Sequence, residues 1–215
     1  MIQNVPNVRI KAEDLALSIK KPWTSDLFVL IPARNEERSI KTLIEEIRAK
    51  VTKKVLVIDN ASTDRTAEFA EIAGAKVIHE KRKGYGSACL AGIRYFSLLP
   101  NPPEYICFFD GDGQSLVEDI PKVARVVLFG KKKYSQGTRM KDCNSKNCLD
   151  SLAQIANRFF GVALSFIWRQ PVTDLGPLRC MKYSVLSSLN MKSLGYGWTI
   201  EMSAKILKMG ISHYE

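Results

Sequence analysis

Two aspartates separated by one glycine, Asp110 and Asp112, come directly after the apolar run Tyr105–Phe109. Paired carboxylates form a hard, anionic oxygen site that suits Mg²⁺ or Mn²⁺ and leaves room for waters and a substrate diphosphate. Gln114 is a candidate neutral oxygen ligand. The alternative is a turn with solvated aspartates, because Asp-Gly is a common turn pair. We favour a metal site at Asp110, Asp112 and Gln114, because other polar strand ends accompany this one.

Polar residues also follow the apolar runs Leu27–Ile31 and Val55–Ile58. The second run ends at Asp59, whose carboxylate can accept a hydrogen bond from the N–H of a nucleotide base. Beyond the first run, Arg34 can supply a cation for phosphate or for stacking on a base. The alternatives are that Asp59 only caps its loop and that Glu36 only favours a helix start. Together these residues predict a nucleotide pocket.

The segment Lys81–Ala88 is basic, contains two glycines and opens a predicted helix. These features predict an anion-binding cradle. The segment also partly matches the glycine fingerprint of dinucleotide-binding proteins. That match fails because Cys89 follows where a glycine or alanine belongs and because the segment lies in the third strand–helix unit rather than the first. We therefore reject a dehydrogenase.

The elements that must position these residues alternate between strand and helix. Apolar runs predict strands at 27–31, 55–58, 75–79 and 105–109. A weaker pattern predicts a fifth strand at 134–137, a short strand is expected near 178, and the last three residues are expected to begin another. Helical spacing and capping residues predict helices from 40 to 47, 64–73, 87–98, 117–128, 152–168 and 199–209. Short connections and strands that are apolar on both faces predict an α/β fold with a mostly parallel sheet. Ligands of such sheets bind beyond the carboxyl ends of the strands, where the polar residues lie.

The charge of the 215-residue chain is unevenly distributed. The formal net charge is +10, yet residues 1–130 carry 19 basic and 17 acidic side chains, whereas residues 131–215 carry 13 and 5. This excess of +8 predicts an anionic partner for the last third. We do not expect that partner to be nucleic acid, because the basic runs Lys81–Lys83 and Lys131–Lys133 lack the interleaved aromatic residues that stack on bases.

Several classes of protein are not expected from the sequence. No apolar run approaches the roughly 20 residues of a membrane-spanning helix, and Glu13 and Asp14 interrupt any signal peptide. Five cysteines in no metal-binding pattern predict reduced thiols in a cytoplasmic protein. The longest apolar run, Phe159–Trp168, either lies at a membrane surface as a peripheral contact or packs in the core.

Four motifs, in this order and spacing, resemble the family 2 glycosyltransferases with the GT-A fold. They are Ile31–Glu36, Val57–Asp64, Lys83–Ala88 and Asp110–Asp112. The back half, with Thr173–Arg179 and Gly195–Glu201, is most similar to the branch that contains dolichol-phosphate mannose synthases and related polyprenyl-phosphate glycosyltransferases. The resemblance begins near Leu27 and implies a Rossmann-like, mostly parallel sheet flanked by helices.

The resemblance also implies roles for individual residues. An NDP-sugar donor would be bound by Pro32, Arg34, Glu36, Asp59, Lys83, Gly84 and Asp110. Arg139 and Arg179 would contact donor or acceptor phosphates, and Asp174 and Glu201 would flank the sugar and the acceptor. A hydroxyl acceptor needs a general base, for which Asp174 and Glu201 are the candidates. A phosphate acceptor is already anionic and needs mainly to be positioned.

These observations predict one functional domain after an extension. Residues 1–26 form the extension and residues 27–215 the GT-A domain, with a nucleotide-sugar and metal half at 27–137 and an acceptor half at 138–215. Relatives commonly continue past the position of Glu215, so we expect that the acceptor half lacks a further segment. The predicted function is inverting, metal-dependent transfer from a UDP- or GDP-sugar to a polyprenyl or dolichyl phosphate. The alternatives are a hydroxyl acceptor and a non-catalytic protein that binds anionic surfaces.

Overall fold

The computed structural model describes residues 26–113, 115–137 and 176–214. The strands in these ranges are β1 (Leu27–Ala33), β2 (Val55–Asp59), β3 (Lys76–His79), β4 (Tyr105–Phe108), β5 (Tyr134–Gln136), β6 (Arg179–Lys182) and β7 (His213–Tyr214). The helices are α1 (Ile40–Lys50), α2 (Thr66–Ile72), α3 (Tyr85–Ser97), α4 (Asp119–Leu128), α5 (Tyr183–Ser188) and α6 (Gly197–Lys208).

All seven of these strands form a single sheet in the order β3-β2-β1-β4-β6-β5-β7. The four strands β3, β2, β1 and β4 are parallel to one another. Strand β6 lies antiparallel between β4 and β5, and β7 is parallel to β5. The predicted α/β fold with a mostly parallel sheet is therefore confirmed. Because β1, β2 and β4 run the same way, their carboxyl ends share one edge.

The sheet is buried on both faces, which explains why its strands are apolar throughout. Side chains of β1 alternate between two layers: Ile31 packs with α1, α2 and α4, and Leu30 packs with α3, α5 and α6. Each fully buried Leu or Ile contributes roughly 1.5–3 kcal/mol relative to an exposed one. This burial makes the sheet a rigid base for the polar loops at its edge.

Pro32 lies inside a central strand, although proline usually ends such strands. The last hydrogen bond from β4 to β1 runs from the Phe109 N–H to the Leu30 carbonyl, at 3.0 Å. Pro32 points to the same side, where β4 has already ended at Phe108. The next hydrogen bond of this ladder would need an N–H on residue 32, so the proline ends the ladder between β1 and β4. Strand β1 itself continues two residues beyond the predicted end at Ile31.

The strands and helices predicted within the described ranges are confirmed, with ends that shift by a few residues. Strand β7 lies where a strand was expected over the last three residues, and helix α5 was not assigned by the sequence analysis. The extension 1–26 and the helix 152–168 lie outside the described residues. Of the helices in the three described ranges, none is both long enough and apolar enough to cross a bilayer.

Strand β6 comes from the predicted acceptor half but lies between β4 and β5 of the predicted donor half. Its pairs with both neighbours bring Arg179 opposite Phe108 of β4 and Gln136 of β5. Residues from the two halves therefore share one sheet and one core. The assignment of donor and acceptor to the two halves stays a prediction.

Candidate active site

The loops that follow β1 and β2 are joined by hydrogen bonds at the shared edge. The Asn35 N–H donates to Ser62 Oγ at 3.0 Å, and the Thr63 N–H donates back to Asn35 Oδ1 at 2.8 Å. The Glu36 N–H donates to Thr66 Oγ1 at 2.7 Å. Asn35 adopts a left-handed conformation with φ 58°, which asparagine tolerates better than most residues. The two loops thus behave as one unit.

The loop after β4 is tied to the same unit by Ser39. Ser39 Oγ donates to the Gly111 carbonyl at 2.8 Å, which fixes the turn between Asp110 and Asp112. Gly113 has φ +71°, a conformation that side-chain-bearing residues rarely adopt. The three polar loops predicted to converge at one edge do converge there. Ser39 was missed because a serine before a helix is usually a cap.

Negative charge is concentrated at this edge. Burial and the nearby carboxylate of Asp112 raise the pKa of the Glu36 carboxyl, and Asp64 adds to the effect. Asp110 is half-buried and Asp112 is exposed. A bound cation would relieve the repulsion between these carboxylates.

The donor set fits a divalent cation that takes most of its ligands from water and substrate oxygens. In the part of the chain that the structure describes, no three His, Cys, Asp or Glu side chains form a ready metal cluster. Asp110 and Asp112 would therefore be the protein carboxylates, with a diphosphate and waters completing the shell, as Mg²⁺ and Mn²⁺ sites commonly have it. Gln114 lies outside the described residues and stays a predicted ligand.

Asp59 is buried at the end of β2 and its carboxylate is held by two donors. His79 Nδ1 lies 3.1 Å from Asp59 Oδ2, and the Ser62 N–H donates to Asp59 Oδ1 at 3.4 Å. His79 was not selected from the sequence. The signal was present, because Asp59 and His79 are the final residues of the neighbouring parallel strands β2 and β3 and pair in register.

The next residue, Asn60, fastens the loop that carries Lys83. Its Nδ2 donates to the carbonyls of Glu80 and Arg82, at 3.3 and 2.8 Å, and its Oδ1 accepts from the Gly84 N–H at 2.8 Å. The buried Asn60 side chain thereby holds the loop beside Asp59, with Lys83 exposed. Asparagine is suited to this task because one side chain both donates and accepts.

The anion cradle predicted at the start of α3 is wrong. The Gly86 N–H donates to the Gly195 carbonyl at 3.3 Å, and the Ser87 N–H donates to the Leu194 carbonyl at 2.9 Å. The helix N-terminus is therefore capped by backbone carbonyls from the segment before α6. An anion cannot use these N–H groups while the segment is in place.

The glycines of this loop serve the close approach of two backbones. A Cβ atom on Gly86 would overlap the Ser193 carbonyl oxygen, and a Cβ on Gly84 would overlap that of Leu194. Gly84 also has φ +137°, in the region that favours glycine. The predicted contact of Lys83 and Gly84 with a nucleotide stays a prediction.

Glu201, on α6, also binds the segment before that helix, residues 192–195. Its carboxylate accepts hydrogen bonds from the N–H groups of Lys192 and Ser193, at 3.0 and 2.7 Å, and pairs with Lys205 at 2.7 Å. Burial would raise the pKa of the Glu201 carboxyl, but the hydrogen bonds from Lys205, Ser193 and Lys192 outweigh it and lower that pKa. The geometry favours a positioning role, and the predicted role as a general base stays a prediction.

Replacing Glu201 by glutamine is expected to lower the free energy of unfolding by about 1–2 kcal/mol at pH 7, since charged hydrogen bonds are lost. A carboxyl whose pKa is lowered in the folded state stabilises above its unfolded pKa, near 4.5, and loses that effect as the pH falls through the folded value. The difference between variant and wild type should therefore shrink below pH 4.5 in urea unfolding. Glu68→Gln, at an exposed pair with Arg65, is the control and should show a smaller loss; equal losses would contradict the anchoring role.

Arg179 is almost completely buried, with 1% of its surface exposed. Its Nε donates to the Gly176 carbonyl at 2.8 Å and its Nη1 to the Thr199 carbonyl at 3.0 Å. It therefore links the start of β6 to the first turn of α6. Within the described residues Nη2 is buried without a hydrogen-bond partner, so it is the guanidinium nitrogen left for the predicted phosphate contact.

Tyr85 connects α3 to the carboxylates and was missed by the sequence analysis. Burial raises the pKa of its hydroxyl well above the usual value, and the charge of Asp110 and a hydrogen bond to Asp110 raise it further. The positive charge of Arg179 acts in the opposite direction. The ring of Tyr85 stacks on that of Tyr196, with centroids 6.5 Å apart. Tyr85 is therefore a neutral hydrogen-bond partner for Asp110.

The structure divides the predicted site residues into three groups. At the shared edge of β1, β2 and β4 lie Pro32, Arg34, Glu36, Asp59, Asp110 and Asp112. Lys83 and Gly84 lie in the neighbouring loop, Arg179 is buried at the start of β6, and Glu201 binds the segment before α6. Outside the described residues lie Gln114, Arg139 and Asp174, whose roles stay predictions.

Comparisons with known proteins identify relatives. The chain is 35% identical over 143 residues to an uncharacterized protein of Methanocaldococcus jannaschii, which is 66% of this chain and 56% of that protein. It is 30% identical over 193 residues to the glycosyltransferase AglJ of Haloferax volcanii, 88% of this chain and 61% of AglJ. A UDP-N-acetylglucosamine–dolichyl-phosphate N-acetylglucosaminyltransferase of Methanococcus voltae is 28% identical over 159 residues, 66% of this chain and 61% of that enzyme. The matches thus span somewhat over half the length of these relatives.

Solved structures share the fold. Glucosyl-3-phosphoglycerate synthase of Mycobacterium tuberculosis superposes with a TM-score of 0.70 at 20% identity, over 95% of this chain and 74% of that one. The same enzyme in complex with Mn²⁺, UDP and phosphoglyceric acid gives 0.71 at 19% identity, over 95% of this chain and 71% of that one. The family model for glycosyl transferase family 2 matches residues 28–175, which contain the polar ends of β1, β2 and β4. The chain therefore has the GT-A fold and belongs to glycosyl transferase family 2.

Proposed function

We propose that this chain transfers a sugar, with inversion and with the help of a divalent metal, from a UDP- or GDP-sugar to a polyprenyl phosphate. The observation that carries the proposal is the convergence of Asp59, Asp110 and Asp112 at one sheet edge, on loops joined by Asn35 and Ser39. A protein that only bound anions would gain nothing from three carboxylates there.

The donor would lie across the ends of β1, β2 and β4. Asp59 would accept the base N–H, and Arg34 and Lys83, both exposed at the rim, would attract the diphosphate. Asp110 and Asp112 would hold Mg²⁺ or Mn²⁺ against that diphosphate. The named complexes of the fold neighbour, with UDP and with Mn²⁺, support this type of donor and metal.

The reaction needs negative charge to be stabilised as the nucleoside diphosphate leaves. A divalent metal held by Asp110 and Asp112 would supply this stabilisation. The role of the protein is to fix the donor, which the turn at Gly111 and the buried carboxylate of Asp59 do on rigid strand ends. The inverting outcome is taken from the family resemblance.

A phosphate acceptor fits the described residues better than a hydroxyl acceptor. A hydroxyl needs a general base, and the carboxylate of Glu201 already accepts from two backbone N–H groups and pairs with Lys205. A phosphate is anionic at neutral pH and fits the excess of +8 in residues 131–215. The named dolichyl-phosphate activity of the Methanococcus voltae relative supports the same class of acceptor.

The donor can be tested by thermal unfolding with Mn²⁺ or Mg²⁺ and a panel of UDP- and GDP-sugars. A ligand at 100 times its Kd stabilises a protein by about 2.7 kcal/mol, which corresponds to a rise in Tm of about 5–10 °C at this chain length. We expect such a rise with one nucleotide class and its loss on adding a chelator. No stabilisation by any nucleotide sugar would contradict the proposal.

The acceptor is tested with the nucleotide sugar that stabilises the protein. We expect transfer to a short-chain polyprenyl phosphate and none to the corresponding polyprenol, because the phosphate is the nucleophile. Transfer to the alcohol but not to the phosphate would favour the hydroxyl acceptor, with Asp174 as the remaining candidate base. Sedimentation with anionic liposomes tests whether Phe159–Trp168 brings the protein to a membrane surface.

A further inference from the structure

We infer that His79 is a positioning residue for Asp59, and that it fixes the Asp59 carboxylate to accept a ring N–H from uracil or guanine. This inference rests on the proposed donor site and adds a residue to it. The sheet register brings the two side chains together, because Asp59 and His79 are paired at the ends of the parallel strands β2 and β3.

The backbone of Asp59 is fixed on both sides. The Glu80 N–H donates to the Asp59 carbonyl at 2.9 Å, and the Asn60 N–H donates to the Ala33 carbonyl at 2.8 Å. The remaining freedom of Asp59 is rotation of its side chain. That rotation is limited by the contact of Oδ2 with His79 Nδ1 at 3.1 Å and by the Ser62 N–H at Oδ1.

The chemistry of the pair determines which atom donates. A carboxylate only accepts, so His79 Nδ1 must carry a proton. Two carboxylate oxygens offer about four acceptor positions, of which these contacts use two, so positions remain for a base. Uracil and guanine present a ring N–H to such an acceptor, whereas cytosine presents a ring nitrogen with a lone pair.

Exposure distinguishes the tasks of the two residues. The Asp59 side chain is 9% exposed and that of His79 is 63% exposed. Because the His79 ring is mostly exposed, its replacement leaves no buried cavity, and the Ser62 N–H still donates to Asp59, so the fold should stay intact. What changes is the direction in which the Asp59 carboxylate points.

The variants His79→Asn and His79→Gln distinguish a positioning role from a requirement for any polar side chain. The Nδ2 of asparagine can take the place of His79 Nδ1, whereas the Nε2 of glutamine takes the place of the distal ring nitrogen. His79→Asn should therefore retain the hydrogen bond to Asp59, and His79→Gln and His79→Ala should lose it. Thermal unfolding of all three variants confirms that each is folded.

The experiment is calorimetric titration of the full chain, in Mn²⁺, with UDP, GDP and CDP. We expect the wild type and His79→Asn to bind UDP or GDP more tightly than CDP. His79→Ala and His79→Gln should lose about fivefold to tenfold in affinity for the preferred nucleotide and little for CDP, the size of one ordinary hydrogen bond.

Three results would overturn the inference. If His79→Ala and His79→Gln bind the preferred nucleotide as the wild type does, His79 does not position Asp59 and the donor site is unaffected. If the affinities for all three nucleotides fall equally, His79 supports only the structure around it. If the wild type binds no nucleoside diphosphate in Mn²⁺, the proposed function itself fails.

Discussion

The substitution Gly86→Ala should lower the free energy of unfolding by about 3 kcal/mol, which is at the upper end of the range for overpacked interiors. The new Cβ would overlap the Ser193 carbonyl oxygen and lie 2.8 Å from the Ser193 carbonyl carbon and 2.9 Å from that of Leu194. These atoms belong to a backbone and cannot rotate away as a side chain would. The segment is also held by its hydrogen bond to Ser87 and by Glu201.

Gly195→Ala is the matched control, because it makes the same chemical change in the contacting segment. A Cβ on Gly195 meets no atom within 4 Å, and Gly195 does not have a positive φ. Its free energy of unfolding should stay within about 0.5 kcal/mol of the wild type. Urea unfolding of both variants measures the contrast. Equal stabilities would mean that α3 and residues 193–195 are not in close contact.

Asp112→Asn should reduce sugar transfer by about 100-fold or more, because one anionic metal ligand becomes a neutral amide. The substitution preserves size and removes like-charge repulsion from Glu36, so the pKa of Glu36 should fall and the fold should not weaken. Initial rates are measured with the preferred nucleotide sugar and polyprenyl phosphate at several Mn²⁺ concentrations. A partial recovery at high Mn²⁺ would show that metal affinity has been lost.

Asp119→Asn provides the same change away from the site. Asp119 lies in the first turn of α4 and pairs with Lys122 at 2.6 Å, so transfer should be unaffected. If Asp112→Asn also leaves transfer unchanged, the metal site is wrong. If neither the wild type nor any variant transfers sugar, the basic run Lys131–Lys133 would then favour a non-catalytic protein that binds anionic surfaces.

The sequence predicts the front of the fold well because its signals there are local. Strands β1, β2 and β4 are mostly short apolar runs, and α1 shows its buried side chains at helical spacing. Parallel strands then place Asp59 and Asp110 at one edge without any further information. Strand β6 is four residues long and antiparallel, and no local pattern indicates that it inserts between β4 and β5.

The contacts that the sequence did not predict join distant residues through backbone groups. Carbonyls of Leu194 and Gly195 cap α3, and a carbonyl is present in every residue, so it leaves no mark in the sequence. The glycines Gly84 and Gly86 were assigned to anion binding because the same absence of a side chain admits either a phosphate or another backbone. The partner of Asp59, in contrast, could have been found from strand register alone.

The capping of α3 also has a consequence for the order of events during synthesis. Ser87 and Leu194 are 107 residues apart, and a ribosome adds about 5–20 residues per second, so about 5–20 s separate their emergence. During that interval the N–H groups of Gly86 and Ser87 lack the carbonyls of Gly195 and Leu194 that later accept from them. The cap on α3 should therefore form late, after Glu201 has left the ribosome and the segment before α6 has docked.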